Sequence, residues 1–317
     1  VEEKPEVRKA GGVYYTPTFI VSTIVINTLG KLLLGLTPKE AAKLKLVDPA
    51  CGSGTFLLGA YQYLLDWHLD WYLNNDFEKW SKGRNAVLVQ SKEGWKLSVE
   101  KKKEILLNNI YGVDIDPQAV EVTKLSLLLK VLENASGQME LGMERILPDL
   151  GNNIKCGNSL VGEDYFEGKL MVDDEERARV NPFDWESAFP EVFAQGGFDA
   201  VVGNPPYVRQ ESLSIYKDYF QKKFESFASG ADLYIYFIEQ GINLLRPNGL
   251  YSIIVSSSFL KATYGKPLRK YLTKNNSIIR IVDFGGMSIF EDAKDTYVCI
   301  PLISKNSQTK ETEICKV

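Results

Sequence analysis

The sequence has one histidine, four widely spaced cysteines and no long uninterrupted apolar run. Every Ser-His-Asp or Cys-His centre and every histidine-rich metal site would have to use His68, which argues against these classes of chemistry. His68 lies in the aromatic stretch LLDWHLDWYL, and we interpret it as a packed helical residue. The cysteines form no CxxC pair, which favours reduced thiols over disulfides or a zinc site.

The sequence also shows no pattern typical of a membrane-spanning helix or a secretory signal. The longest apolar candidate, residues 19–36, is interrupted by polar and glycine residues, whereas a membrane span needs about 18 apolar residues in succession. The first residues, VEEKPEVRK, do not resemble a signal peptide. Apolar residues make up 44% of the 317 residues and charged residues 25%, as in soluble globular proteins. We therefore expect a cytoplasmic protein with no membrane partner.

The charge of the chain is unevenly distributed. The formal net charge is −4, yet residues 205–280 contain eleven lysines and arginines against five acidic residues, an excess of six positive charges. Single surface lysines are usually only solvated. A local excess of positive charge is nevertheless suited to an anionic partner such as a nucleic acid.

Strand-like and helix-like segments alternate along the chain, which predicts an α/β fold with a mostly parallel sheet. Two strand–turn–helix units are followed by five further strands; in order they occupy 44–67, 108–133, 153–162, 198–207, 232–260, 277–286 and 295–305. In the second unit, one apolar stripe at helical spacing is predicted to be the packed face: Leu125, Leu128, Leu129 and Leu132. Residues 74–104 and 161–197 break the alternation, and we interpret both as surface insertions.

The segment DPACGSGTF follows the first strand and opens a helix. Gly52 and Gly54 allow a tight turn and the close approach of a ligand to the backbone. No lysine stands where a phosphate-binding loop requires one. The alternative interpretation is a simple tight turn.

The segment YGVDIDP favours the ligand-binding interpretation. Asp114 ends the second strand, where an acid can accept hydrogen bonds from both ribose hydroxyls of a nucleoside. The apolar Ile115 beside it can cover an adenine ring. Asp116 before Pro117 is typical of a helix cap, and capping is the alternative role for Asp114. A nucleoside cofactor without a phosphate-binding loop points to S-adenosylmethionine.

The fourth strand ends in GNPPY. The Asn204 side chain and the Pro205 carbonyl are two acceptors that could hold an exocyclic amino group, and the prolines stiffen the loop. Tyr207 offers a ring on which a base can stack.

These motifs together resemble the gamma-group, amino-methylating DNA methyltransferases, in particular the adenine-specific domain of fused type IIG restriction-modification enzymes. Seven segments match in order: GGVYYTP, DPACGSGTF, YGVDIDP, GNSL, GNPPY, the long GADLYIYFIEQ block and IFEDAKDTYVCI. The resemblance implies a class I S-adenosylmethionine-dependent methyltransferase fold. That fold has a seven-stranded, mostly parallel sheet with an antiparallel last strand and helices on both faces.

The resemblance also implies roles for individual residues. It places near the methionine end of the cofactor Tyr15, Thr16 and Pro17, in the cofactor loop Asp48, Ala50, Gly52 and Gly54, and at the adenosine Asp114, Ile115, Asn158 and Ser159. It places in the catalytic loop Asn204, Pro205, Pro206 and Tyr207, with Phe290 on the other face of the flipped base. Asn158 stands where the family often has Asp. No metal is implied. We also read Thr16 as the N-cap of the first helix, with Pro17 in its first turn.

The implied activity is methylation of the exocyclic amino group of a flipped adenine in double-stranded DNA. The resemblance also implies a prokaryotic source and a location at the nucleoid. The expected domains are a helical segment over the cofactor site (1–35), the catalytic domain (36–305) and the start of a linker (306–317). That linker would lead to a target-recognition domain, without which DNA binding is not sequence-specific. A PD…ExK nuclease site would require an ExK triplet after a strand with an upstream Pro-Asp. The sequence contains three ExK triplets, and none has this context.

Other readings remain open. A chain with an NPPY loop can methylate a protein glutamine or a guanine in RNA, and amino methylation of cytosine is a further variant. A non-catalytic DNA-binding or assembly subunit could also keep the fold.

Overall fold

A computed structural model describes residues 16–83, 86–92, 94–133, 147–169, 171–287, 289, 297–307 and 311–317. Its strands fall into a nine-stranded sheet and a separate two-stranded hairpin. The strands are β1 Leu46–Asp48, β2 Leu88–Ser91, β3 Gly94–Leu97, β4 Ile110–Asp114, β5 Ile154–Cys156, β6 Phe198–Gly203, β7 Leu245–Ile253, β8 Val255–Ser256, β9 Asn276–Asp283, β10 Val298–Lys305 and β11 Glu313–Lys316.

Helices precede, connect and cover these strands. They are α1 Thr18–Val25, α2 Pro38–Ala41, α3 Thr55–Asn74, α4 Phe77–Ser81, α5 Val99–Asn109, α6 Pro117–Leu132, α7 Asp174–Val180, α8 Trp185–Ala188, α9 Pro190–Phe193, α10 Lys217–Lys223, α11 Leu233–Leu244 and α12 Lys266–Asn275. A π-helical turn, Ile26–Gly30, continues α1. Short 3-10 segments lie at Glu163–Phe166, Gln210–Tyr216, Ser257–Leu260 and Thr263–Gly265.

The order of strands confirms the predicted fold class. The main sheet runs β11-β9-β10-β7-β6-β1-β4-β5, and β8 pairs with β10. Strands β5, β4, β1, β6 and β7 are mutually parallel, and β10 is antiparallel to both β7 and β9. The seven predicted strands are thus present with the last one antiparallel. The sheet gains β8 and the edge strand β11, which lies within the stretch predicted to begin a linker.

Two hydrophobic clusters cover the two faces of the sheet. Alternate residues of a strand point to opposite faces, so Leu46 belongs to one cluster and its neighbour Val47 to the other. Both are fully buried. Helices α1, α3, α5 and α6 contribute to the first cluster, whereas α11, α12 and the segment before β6 contribute to the second. Strands buried on both faces read as continuous apolar runs, which is why the sequence pattern located them.

The surface position predicted for residues 161–197 is wrong. Seven of its apolar residues are less than a tenth exposed and join the second cluster: Val161, Phe166, Val180, Phe183, Trp185, Phe189 and Val192. The segment connects β5 to β6 through short helices that cover one face of the sheet. These helices are too short to show a helical repeat of apolar residues in the sequence. Residues 74–104 likewise contribute to a core, because Leu88 and Leu97 of the β2–β3 hairpin are buried.

The predicted packed face of α6 is wrong in part: Leu128 packs against the first cluster, but two of the other leucines point to the surface. Leu125 and Leu129 are each 58% exposed, and the buried residues are Val120, Thr123, Leu127 and Val131. A tertiary bond sets this rotation: the Thr123 hydroxyl donates to the Gly52 carbonyl at 2.7 Å. The helix therefore turns a threonine, and not its leucine stripe, toward the glycine-rich loop.

Helix α1 begins one residue later than an N-cap at Thr16 would require. Pro17 occupies the N-cap position and Thr18 is the first helical residue. The Pro17 carbonyl accepts hydrogen bonds from the N–H groups of Ile20 and Val21. The Thr16 side chain is consequently free of capping and contacts another part of the chain.

The structure confirms His68 as a packed residue of α3. It is fully buried, both ring nitrogens lack hydrogen-bond partners among the described residues, and its ring contacts Trp67 and Tyr72. Burial lowers the pKa of His68 to about 3. The unfolded chain, with an ordinary histidine pKa, therefore binds a proton at higher pH than the folded protein does.

This difference predicts an acid-sensitive core. Stability due to neutral His68 is fully present above about pH 6.5 and is lost as the pH falls toward 3, by about 1.4 kcal/mol per pH unit at most. Urea unfolding of the wild type and of His68→Leu at pH 7 and pH 5.5 measures it. We expect the wild type to lose more stability than the variant. Equal losses would contradict a buried, neutral His68.

Candidate active site

Polar side chains meet at the carboxyl ends of four adjacent parallel strands. Asp48 ends β1 and Asp114 ends β4, while Asn158 and Asn204 follow β5 and β6. In the sheet β1 lies between β4 and β6, so the chain continues from β1 to one neighbouring strand, β4, and only later forms the other, β6. Ligands of open α/β sheets bind at such a switch point, outside the carboxyl ends of the strands.

The glycine-rich loop between β1 and α3 is shaped by two left-handed residues. Gly52 has φ 52° and Gly54 has φ 85°, values that glycine adopts without strain. A Cβ on Gly54 would lie 3.0 Å from Thr123, whereas a Cβ on Gly52 would meet no atom of the described residues within 4 Å. The loop thus packs against α6 at Gly54 and leaves open space beside Gly52.

Asp114 joins this loop to β4. Its Oδ2 accepts a hydrogen bond from Gly52 N–H at 2.8 Å, and its Oδ1 accepts one from Asp116 N–H at 3.0 Å. Each carboxylate oxygen has a second lone-pair site for a ligand donor. Burial raises the pKa of Asp114. Ile115 beside it is 50% exposed, as an apolar surface for a ligand ring should be.

Asp48 is the most buried acid of the site, at 2% exposure. Its Oδ1 accepts from Ala50 N–H at 3.0 Å. Burial raises the pKa of Asp48 to about 8, so the carboxyl group holds a proton at neutral pH. A Cβ on Gly203 would lie 2.6 Å from Asp48 Oδ1, so the glycine at the end of β6 leaves the space that the Asp48 carboxyl group occupies.

The GNSL side chains bind the protein itself. Asn158 Oδ1 accepts from Leu160 N–H at 3.1 Å, and its Nδ2 donates to the Val180 carbonyl at 3.3 Å. The Ser159 hydroxyl is buried and donates to the Pro49 carbonyl at 2.5 Å. Ser159 therefore braces the glycine-rich loop. The described contacts of the Asn158 carboxamide leave one lone pair of Oδ1 and one N–H of Nδ2 for a ligand.

Asn204 has one partnered and one unpartnered end. Its Nδ2 donates to Thr16 Oγ1 at 3.1 Å. Its Oδ1 is buried and has no hydrogen-bond partner among the described residues. A buried acceptor without a donor is rare and unfavourable, which marks it as a place for a ligand N–H. Pro205 next to it is buried, which fixes the loop.

Tyr207 is held from behind. The half-buried ring lies 6.5 Å from the ring of Tyr234, centroid to centroid, and its hydroxyl donates to the Ile254 carbonyl at 3.3 Å. Tyr234 is buried, and its hydroxyl lies 3.2 Å from that of Tyr264. Tyr207 thus stands on an aromatic support at the rim of the site.

Several predicted site residues meet here and two cannot be placed. The structure brings together the cofactor loop, Asp114, Asn158 and the Asn204 loop. Tyr15 and Phe290 lie outside the described residues. Sequence reasoning assigned no role to Thr123, Gly203 or Tyr234, because each acts through a contact with a distant segment. Gly203 and Tyr234 lie inside matched segments, but those segments do not reveal the contacts.

Among the described residues, no three acidic, histidine or cysteine side chains are grouped to hold a metal ion. None of the described helices is long and apolar enough to cross a membrane.

Comparison with known proteins identifies the family. The model of the Eco57I restriction-modification methylase family matches residues 108–290. The type II restriction enzyme and methyltransferase RM.Eco57I of Escherichia coli is 34% identical over 296 residues, covering 92% of this chain and 28% of that protein. The type II methyltransferase M.BstVI of Geobacillus stearothermophilus is 28% identical over 305 residues, covering 96% and 43%. The chain therefore spans less than half the length of these relatives.

A solved structure shares the fold. A nuclease-deletion mutant of the type ISP restriction-modification enzyme LlaGI, in complex with a DNA substrate mimic, superposes with a TM-score of 0.64 at 15% identity. The match covers 96% of this chain and 24% of that one. Together with the matched residues of the family model, the strand order and the polar strand ends place the chain in the Eco57I restriction-modification methylase family.

Proposed function

We propose that the protein transfers a methyl group from S-adenosylmethionine to the exocyclic amino group of an adenine flipped out of DNA. The observation that carries the proposal is the buried Oδ1 of Asn204, which has no partner in the described part of the chain, together with the supported ring of Tyr207 in the same loop. An acceptor without a donor next to an aromatic platform is suited to a planar base that carries an amino group.

The residues present fit the cofactor. Asp114 keeps acceptor capacity for ribose hydroxyls, exposed Ile115 can lie against the adenine, and Gly52 leaves room for close approach. Asp48 can face a positively charged group once it loses its proton. When bound, S-adenosylmethionine supplies an electrophilic methyl group, so the protein needs no nucleophile of its own.

The chain's own groups orient the base. Asn204 Oδ1 and the Pro205 carbonyl accept the two N–H bonds of the amine, which aims its lone pair. Flipping a base costs a few kcal/mol. Stacking on Tyr207 offsets this by about 1–3 kcal/mol. Positioning of the amine and electrostatics then account for catalysis.

Double-stranded DNA is the proposed partner. Lys261, Lys266 and Lys270 are exposed at and after the end of β8, on the segment with excess positive charge. Such residues bind phosphates without reading sequence. We propose that target recognition requires a further domain, and that the chain is the modification part of a fused type IIG enzyme.

Methyl transfer from tritiated S-adenosylmethionine by the full-length protein tests the proposal. DNA, RNA and protein substrates are compared, and we expect label in DNA adenine. Label in RNA guanine or in protein glutamine would show that the substrate is RNA or protein and not DNA. Absence of label together with absence of cofactor binding would favour a non-catalytic subunit.

Asp114 allows a test of cofactor binding. Asp114→Ala should weaken S-adenosylmethionine binding by at least about 2 kcal/mol, because hydroxyl partners of a charged acceptor are lost. Titration calorimetry without DNA measures this. The matched control is Asp116→Ala, since Asp116 only caps α6 through Gln118 N–H. It should lower stability and keep affinity. Equal affinities for both variants would make Asp114 a structural residue only.

Asn204 should separate chemistry from binding. Asn204→Ala removes the acceptor for the amine, so we expect the methylation rate of the full-length enzyme to fall at least about 100-fold. Cofactor affinity should change much less, because Asp114 and the glycine loop remain. Single-turnover assays and calorimetry measure the two quantities. A parallel loss of both would place Asn204 in the cofactor site.

Tyr207 should act on the base through its ring. Tyr207→Ala should reduce methylation, and a mismatched target adenine should partly restore it, because less pairing energy must be overcome. Tyr207→Phe loses the long bond to Ile254 but keeps the ring, and should therefore be mild. Steady-state assays on matched and mismatched duplexes measure this. If both variants are equally damaged, the hydroxyl has a chemical role and stacking is not the function of the ring.

A further inference from the structure

We propose that Thr16 is a positioning residue, which holds the carboxamide of Asn204 so that Oδ1 points to the amine that is methylated. The inference rests on the proposed function and adds a role to a residue that sequence resemblance assigns to the cofactor. Its basis is the contact between two segments that lie 188 positions apart in the chain.

The contact involves one end of the carboxamide only. Thr16 Oγ1 accepts a hydrogen bond from Asn204 Nδ2 at 3.1 Å, while Oδ1 is buried without a partner among the described residues. The two ends of a carboxamide differ chemically, since Nδ2 only donates and Oδ1 only accepts. The Thr16 hydroxyl can also donate, so the bond fixes the place of the carboxamide more than the identity of the end that it holds. In the structure Thr16 holds Nδ2, and Oδ1 is the end that is left to accept from the amine.

Thr16 is itself held firmly. It is 4% exposed, and the next residue, Pro17, has φ −57° and ψ 142° as the N-cap of α1. Helix α1 packs closely on α3, because a Cβ on Gly59 would lie only 2.4 Å from Val21 Cγ1. Helix α3 begins directly after Gly54 of the cofactor loop. A rigid path therefore connects this loop to the hydroxyl that orients Asn204.

The direct test replaces the hydroxyl by a methyl group of similar size. Thr16→Val keeps the branched shape and leaves Nδ2 unpaired. We expect the single-turnover methylation rate of the full-length protein to fall about tenfold, which equals about 1.4 kcal/mol. The Kd for S-adenosylmethionine should stay within about twofold. Thr16→Ser keeps the acceptor and should retain the wild-type rate.

Controls separate this role from packing. Thr18→Val makes the same change two residues later, at the exposed first residue of α1, and should leave rate and affinity unchanged. Unchanged cofactor affinity of Thr16→Val also shows that the variant is folded. Should Thr16→Val be unstable, Thr16→Ala provides the second variant with the same expected pattern.

A double-mutant cycle decides whether Thr16 acts through Asn204. In the Asn204→Ala background, Thr16→Val should lower the rate by less than about twofold, because the group that it orients is gone. A full tenfold loss in that background would overturn the inference, as would weaker cofactor binding with an unchanged rate. An active wild type with a fully active Thr16→Val would overturn this inference alone. An inactive wild type would remove the proposed function, and this inference with it.

Discussion

The hydrogen bond from Gly52 N–H to the Asp114 carboxylate is the interaction on which the rest of the site depends. It closes the glycine-rich loop on the end of β4, and Cys51 N–H reinforces it by donating to the Val113 carbonyl. The Thr123 hydroxyl fixes the same loop from α6. The loop, the strand and the helix therefore form one unit, and Asp114 faces a ligand with its oxygens already oriented. Such preorganisation lowers the entropy that binding must overcome.

The other half of the site, the Asn204 loop, contains an unsatisfied hydrogen-bond acceptor instead of a closed set of hydrogen bonds. Asn204 Oδ1 is buried and unpartnered among the described residues, although burial of a lone acceptor is unfavourable. Natural proteins depart from full hydrogen bonding mainly where function requires it. The Asn204 loop tolerates this cost because Pro205 is buried, Tyr207 rests on Tyr234, and Leu233 N–H donates to the Val208 carbonyl just beyond the loop. Rigid surroundings keep the acceptor from turning to a protein donor.

The sequence predicted the sheet and the strand ends well, because β1, β4 and β6 are short apolar runs that stop at glycine, aspartate or asparagine. It did not predict how α6 is rotated about its axis, nor that the segment between β5 and β6 is part of the core. The leucines of α6 form the better apolar stripe, yet the bond from Thr123 to Gly52 turns Leu125 and Leu129 outward. Short helices between β5 and β6 contribute buried aromatic rings without a helical period. The bond between Thr16 and Asn204 joins residues too distant in the chain for any local pattern to reveal.

Electrostatics link the two halves of the site. Asp48 and Asp114 end neighbouring strands, and burial raises the pKa of both. The negative charge of Asp114 raises the pKa of Asp48 further. Asp48 therefore keeps a proton at neutral pH while no cation is near. A positively charged ligand at these strand ends stabilises the ionised carboxylate, so that cation binding and proton release are coupled. The sulfonium and ammonium groups of the proposed cofactor have this charge. Their binding would convert a neutral, desolvated carboxyl group into an ion pair directly beside Gly203, at the base of the loop that presents Asn204.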